Sequence, residues 1–376
     1  MPTPTRAAII REQPGEFEIA DILLDDPRQG EILVSMAVSG LCHSDHHLAT
    51  GDSVPDIMPF IGGHEGTGTV QAVGPNTSGW EVGDKVVFSF IASCGKCRWC
   101  NEGQSNLCDL GRFMMTGSRF TDPDSYRASL PDGTPVGQMC GLGTFSEHTV
   151  VDVNSAVKLP ADADLDRLWL LGCGVGTGWG SAVYAAGIEP GQTAIVIGTG
   201  GVGIHAVQGA SHAGATAVIA VDPVELKREK ALEVGATHAF ATIEEATVFA
   251  QSITNGQGAD SAILTVGLLS GKDVADAFYA IRKAGTVVVT AIAPSSEQVI
   301  PIPPLDLTRF QKRLQGAVYG ASNPHSDIPR QHQMYLAGQL KLDEVISQMY
   351  ALEDISQGYR DLLDGKNVRG GILHRR

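Results

Sequence analysis

From about Gly191 onward the chain alternates wholly apolar runs with helix-patterned segments: TAIVIG then GVGIHAVQGASHAG, TAVIAVD then PVELKREKALEVG, later DSAILTVG, a helical stretch ending near Lys283, and TVVVTAI. Strands that are apolar throughout and separated by helices belong to a parallel sheet covered on both faces. This part of the chain is therefore constrained to an α/β architecture. The residues before it read differently. TRAAII, EFEIADILL, GEILVSMAVSG, GTGTVQAVG, GDKVVFSFI and, after a long loop, FSEHTVVDV are short strands punctuated by Gly and Pro, the pattern of a folded-up β domain. IPIPPLDLTRF looks like an exit from the parallel sheet. The segment after it, with SDIPRQHQMYLAGQ as a helix and a closing strand near GGILH, is too short for a core of its own and is expected to pack back on the first part.

Gly198-Thr-Gly200-Gly201-Val202-Gly203 directly follows TAIVIG and opens a helical pattern, and Asp222 ends the next strand, 19 residues after Gly203. A glycine-rich turn alone is weak evidence; strand, turn, helix and strand-end acid together are the dinucleotide fingerprint. The glycines let the backbone approach a pyrophosphate seated at the positive end of the helix. Asp222 would accept hydrogen bonds from the ribose hydroxyls and repel a 2′-phosphate, so NAD(H) is expected rather than its phosphorylated form.

Seven cysteines is an odd number, and four of them, Cys94, Cys97, Cys100 and Cys108, fall within fifteen positions. Four soft ligands in one short loop fit a closed tetrahedral zinc site that orders the loop. An iron–sulfur centre could use the same thiolates, but no second cluster pattern or Cys-Pro ending accompanies them. The formal net charge of −15, with no basic stripe, argues against a nucleic-acid-binding zinc module and against nucleic acid as a partner. The opening MPTPTRAAIIREQPGE lacks the features of a signal peptide, and no apolar run reaches bilayer length. A soluble cytoplasmic protein without a membrane partner is expected.

Other chemistry-bearing residues are scattered. Gly40-Leu-Cys-His-Ser-Asp-His-His47 crowds a thiol, three imidazoles, a hydroxyl and a carboxylate; His64 and Glu65 stand in Gly62-Gly-His-Glu-Gly; Cys173 lies in Gly172-Cys-Gly-Val-Gly-Thr-Gly-Trp-Gly180. A lone buried Cys or His is more often packing than ligand, and spacing alone does not bring these together.

The order Cys42-His-Ser-Asp, Gly63-His64-Glu65, the four-cysteine loop, Gly172-Cys173-Gly and Gly198-x-Gly-Gly-x-Gly resembles the zinc-dependent medium-chain alcohol dehydrogenases over essentially the whole chain. The resemblance implies an α/β protein with a GroES-like, β-rich catalytic domain over residues 1–174, a Rossmann doubly wound domain over 175–317, and a return to the catalytic domain over 318–376. It implies two zinc ions per chain. Cys42, His64 and Cys173 would hold the catalytic ion, with Asp45 and Glu65 beside it, and Cys94, Cys97, Cys100 and Cys108 the structural one. Primary alcohols and aldehydes would be interconverted through a zinc-bound alkoxide and hydride transfer to or from NAD(H), with Ser44 and His47 carrying the alcohol proton outward. Cofactor contacts would come from His43, Thr177, Gly198, Gly200, Gly201, Val202, Gly203, Asp222, Lys227, Val266 and Arg369, the last at the pyrophosphate. His43 departs from the arginine of many relatives and lacks its bidentate fork. His46 matches no functional position and is expected as a solvated helix residue.

Phe90, Met139, Cys140 and Val318 are expected to flank the zinc on the substrate side, giving an apolar channel for alcohols beyond ethanol. The stretch from Gly111 to Gly143 resembles the long loop of liver-type and thiol-dependent formaldehyde enzymes and favours a homodimer, with a tetramer open. Ser89–Leu110 and Leu305–Pro324 contain runs similar to the actinobacterial nitrosoaniline-dependent enzymes, some of which keep NAD bound. Oxidation of a thiol adduct of formaldehyde, or a non-catalytic binding protein on this fold, are the alternatives.

Overall fold

The computed structural model describes residues 2–294 and 296–374. The chain divides into two compact units, Met1–Cys173 with Asn323–Arg376, and Gly174–Ser322.

The first unit contains a small closed barrel of Thr3–Ile10, Glu18–Leu24, Ala128–Ser129, Pro135–Gln138 and Phe60–Ile61. Beside it lies a seven-stranded sheet in the order Ala156–Leu159, Lys85–Phe88, Gly66–Val73, Glu31–Leu41, Arg369–Leu373, Ile346–Tyr350, with His148–Asp152 also paired to Glu31–Leu41. Its core is aliphatic and aromatic: Ile10, Val34, Phe60, Phe88, Phe145 and Ile372 are fully buried. Each such side chain contributes about 1.5–3 kcal/mol on leaving water. The register matters most for function. Ser39 faces Gly66 and Leu41 faces Gly370, so the end of one strand and the beginnings of two others meet at one edge of the sheet.

The second unit is a six-stranded, all-parallel sheet in the order His238–Phe240, Ala217–Val221, Thr193–Ile197, Ala259–Leu264, Ile281–Val289, Arg313–Gly316. In chain order this is 3-2-1-4-5-6, the doubly wound arrangement whose strand order reverses beside Thr193–Ile197. Thr193–Ile197 and Ala217–Val221 are buried along their whole length, as wholly apolar runs require. Two of the helices start with capping boxes, Thr242 with Glu245 and Ser270 with Asp273, each satisfying helix-end donors reciprocally.

Three expectations need correction here. IPIPPLDLTRF does not leave the sheet: Pro304 sits at the first position of the helix Pro304–Phe310, where a missing N–H costs nothing, and Arg313–Gly316 then adds a sixth strand. That strand is polar and exposed at every residue, so it carries no apolar signal. The helix expected to end near Lys283 is Gly271–Ala280, and the strand after it begins at Ile281. The boundary between the units falls at Ser322, later than 317, so Val318 belongs to the dinucleotide-fingerprint unit. Among the described residues no helix is long and apolar enough to cross a membrane.

Candidate metal and cofactor sites

The register described above builds the first site. Cys42 directly follows the strand Glu31–Leu41, His64 and Glu65 directly precede Gly66–Val73, and Gly40 donates its N–H to the Glu65 carbonyl at 3.2 Å. Cys173 follows a short helical turn, Trp169–Gly172, packed against Lys85–Phe88. One ligand atom each from Cys42, His64, Glu65 and Cys173 lies within 4.8 Å of the others, and all four residues are buried. Residues far apart in sequence are thus gathered by strand pairing.

Asp45, with no exposed surface, accepts hydrogen bonds at Oδ1 from the Gly63 N–H at 2.7 Å and from His64 Nδ1 at 3.2 Å. Holding Nδ1 this way directs Nε2 toward the cysteines, the carboxylate–histidine arrangement that orients metal ligands. The charges fit a cation. The hydrogen bond from Cys173 and the nearby His64 pull the Cys42 thiol well below its usual range, while the same contact with Cys42, together with burial, pushes Cys173 well above. Two neighbouring buried thiols share one proton unless a cation neutralises both, and a divalent ion does so. Burial pushes the Glu65 carboxyl up to about 7 against the pull of Arg369. Its Oε1, like Asp45 Oδ2, is buried with no hydrogen-bond partner among the described residues.

Arg369, expected at a pyrophosphate, is 2% exposed, pairs with Glu65 Oε2 and lies 5.1 Å over the Trp169 ring. Its start of the last strand beside Leu41 places it there. Ser44 Oγ is 3.7 Å from Cys42 Sγ. His47 is buried on the helix His43–Thr50, where His43 and Ser44 are half-buried. Its Nδ1 is 3.3 Å from Asp52 Oδ2, a residue that sequence reasoning passed over because it lies beyond the helix. His46 is half-buried against Tyr359 rather than solvated, with ring centroids 6.1 Å apart. Tyr359 itself stacks on Phe17 and has a buried hydroxyl without a partner among the described residues.

Of the expected substrate-side residues, Phe90 stands edge-on to the His64 ring at 5.8 Å, and Met139 and Cys140 are buried in the same core cluster that Phe90 packs against. Burial pushes the Cys140 thiol up to about 12, which makes it an apolar wall rather than a nucleophile. Val318 is 39% exposed and lies in the other unit.

The four-cysteine loop closes on itself, with ligand atoms of Cys94, Cys97, Cys100 and Cys108 within 4.8 Å of one another. The N–H groups of Cys94 and Cys97 each point at a sulfur, Cys108 and Cys94 respectively, at 3.3 Å. A backbone hydrogen bond from Cys100 leads in lowering the Cys97 thiol to about 6. Backbone donors aimed at sulfur are the environment a bound thiolate needs.

In the second unit, Gly198 has φ +84°, which L side chains rarely adopt, and a Cβ on Gly203 would stand 1.8 Å from the Gly198 carbonyl. The turn is therefore closed to side chains at both ends, whereas a Cβ at Gly200 would have only Lys227 Nζ nearby, at 3.9 Å. Open space in front of the turn and the N-terminus of Gly203–His212 suits a pyrophosphate. Asp222 Oδ2 accepts from the Thr199 N–H at 2.9 Å and Oδ1 from the Val224 N–H at 2.9 Å, fixing the acid beside the turn with a lone pair on each oxygen still to offer. Val266 N would lie 2.9 Å from a Gly198 Cβ, so Val266, Gly201 and Val202 border the same turn. Thr177, on the helix Gly174–Gly180, is buried with its hydroxyl unpartnered among the described residues. The glycines of that helix face protein: Gly176 meets Tyr319 and Gly178 the Val202 carbonyl.

A buried thiolate–imidazole metal site in a β-rich unit and a dinucleotide turn on a doubly wound sheet define a metal-dependent oxidoreductase that uses a nicotinamide cofactor. Residues 28–161 match the family model described as alcohol dehydrogenase GroES-like domain, and residues 201–337 the one described as zinc-binding dehydrogenase. An NDMA-dependent alcohol dehydrogenase of Amycolatopsis methanolica is 48% identical over 370 residues, 98% of this chain and 99% of that protein. A crystal structure of an alcohol dehydrogenase zinc-binding domain protein from Burkholderia ambifaria has a TM-score of 0.92 at 31% identity, covering 100% of both chains. Benzyl alcohol dehydrogenase from Acinetobacter calcoaceticus has 0.90 at 27%, covering 99% of this chain and 100% of its own. The chain belongs to the zinc-dependent medium-chain alcohol dehydrogenases, and it is a zinc alcohol dehydrogenase.

Proposed function

We propose that this enzyme interconverts primary alcohols larger than ethanol and their aldehydes, using NAD(H) that stays bound through turnover and two zinc ions per chain. The observation that carries the reading is the buried Cys42–His64–Cys173 set backed by Asp45. When bound there, zinc supplies a Lewis acid that favours ionisation of an alcohol. NAD supplies the hydride acceptor, and Asp222 is the reason for preferring it over the phosphorylated cofactor. The chain's own residues do the rest. Cys42, His64 and Cys173 hold the ion, Asp45 keeps His64 turned toward it, and Ser44 and His47 take the alcohol proton away. Phe90, Met139 and Cys140 form an apolar wall, and each substrate methylene buried against such a wall adds about 0.8 kcal/mol. Cys94, Cys97, Cys100 and Cys108 hold a second, structural ion. His43, Thr177, the 198–203 turn, Lys227, Val266 and Arg369 contribute to the cofactor site, Arg369 at the pyrophosphate while also paired with Glu65. The seven free cysteines suit a reducing cytoplasm. The subunits form a homo-oligomer, a dimer in preference to a tetramer.

Retention of NAD is supported by the NDMA dependence that the Amycolatopsis relative's name records. Purification without added NAD, release of ligand by denaturation, and alcohol turnover with NAD against NDMA test it. Bound dinucleotide with acceptor-only turnover is expected; a cofactor-free protein that turns over with added NAD contradicts retention.

A further inference from the structure

Helix His43–Thr50 ends at Gly51, whose φ of 87° reverses the chain and brings Asp52 back over the last turn. The return is pinned by the Ser53 N–H on the His47 carbonyl at 3.0 Å and by the Gln13 side-chain amide, which donates to the Ser53 carbonyl at 2.8 Å and to the Leu48 carbonyl. Asp52 Oδ2 there receives the Thr50 hydroxyl at 2.6 Å and faces His47 Nδ1 at 3.3 Å. The imidazole side chain is 5% exposed and the carboxylate 32%, so the acid stands between the ring and water.

We propose that Asp52 is a positioning residue for proton removal: it fixes His47 with Nδ1 protonated, stabilises the imidazolium, and forms its route to solvent. The inference rests on the reading of His47 as proton acceptor. With Nδ1–H directed at Asp52, Nε2 carries the lone pair that accepts the proton. Oxidation of one alcohol by NAD⁺ gives aldehyde, NADH and one proton. That proton forms the imidazolium at Nε2; loss of the Nδ1 proton past Asp52 to water leaves the ring neutral with its proton on Nε2, and exchange with solvent water returns it to the Nδ1-protonated form before the next turnover. His47 also lies in the helix's last turn, where a positive charge is favoured. The other titratable group facing the pair is His46 on the same helix; burial, then His47, lowers its pKa, so it opposes no positive charge at neutral pH. The helix of Tyr359, packed on His46, brings that un-ionised phenol. The Thr50 hydroxyl first, and His47 next, hold the Asp52 carboxyl below its usual range, so it is ionised there.

The test is Asp52→Asn in the zinc-loaded enzyme, with the His47 imidazole followed by ¹H–¹⁵N NMR and assigned by difference from His47→Gln. The share of the His47 ring carrying its proton on Nδ1, read from the two ring ¹⁵N shifts, should fall, because the carboxylate that accepts from Nδ1–H is replaced by a neutral amide. The acid limb of kcat/KM for alcohol oxidation should move down with it, added imidazole buffer should raise turnover of the variant alone, and Asp52→Glu should restore the limb. Asp52→Ser, which keeps a turn-forming side chain, gives the same comparison if the amide variant does not fold. An unchanged His47 tautomer and acid limb in a folded, zinc-loaded variant overturns the proposal. Full activity of His47→Gln instead overturns the relay reading, a result the NMR titration distinguishes.

Discussion

Asp45 shows what single residues do in this enzyme. Its Oδ1 is shared between the Gly63 N–H and His64 Nδ1, so it fixes both the loop that carries His64 and the ring of His64. Asp45→Asn keeps an acceptor but removes the charge, and zinc affinity in chelator competition should fall roughly 10–100-fold with the fold retained. Cys42, His64 and Cys173 were not legible as a set from spacing, because strand register brings them together; family resemblance named them. Arg369 was legible as important, but its pairing with Glu65 was not, because a sequence does not display which buried acid a buried arginine meets. Asp52 was missed because its partner is chosen by the reversal at Gly51.

Secondary elements were legible wherever burial imposes a pattern. Thr193–Ile197, Ala217–Val221 and Ala259–Leu264 are buried strands and read as apolar runs, whereas His238–Phe240 is too short and Arg313–Gly316 too polar to register. The long loop from 111 to 143 had no pattern at all, since an ion cluster anchors it. Arg119 and Arg127, neither with exposed side chain, both bond to the buried Glu31, Arg127 at 2.8 Å, and Arg119 reaches Asp25 at 2.8 Å. Glu31→Gln leaves two buried guanidinium groups short of their counter-ion. It should cost about 3–5 kcal/mol, seen as a lower denaturant midpoint. The clustering of Cys94, Cys97, Cys100 and Cys108, by contrast, was readable, because all four come from one short segment.

At the scale of the whole molecule, the edge strand Arg313–Gly316 is exposed along its length, with Leu305 64%, Leu314 37% and Val318 39% exposed in the same stretch of chain. An exposed edge strand offers unpaired backbone groups to another copy. Sedimentation should show an oligomer, and Leu314→Lys should shift it toward monomer; a native monomer contradicts that proposal. Two separate zinc sites in one chain, one for catalysis and one for the loop, would show in zinc counted per chain alongside alcohol turnover. Two zinc ions are expected in the native enzyme, and for Cys173→Ala one remaining zinc, an intact fold and no turnover. A native enzyme with a single zinc, or a Cys173→Ala variant that still oxidises alcohol, would contradict it.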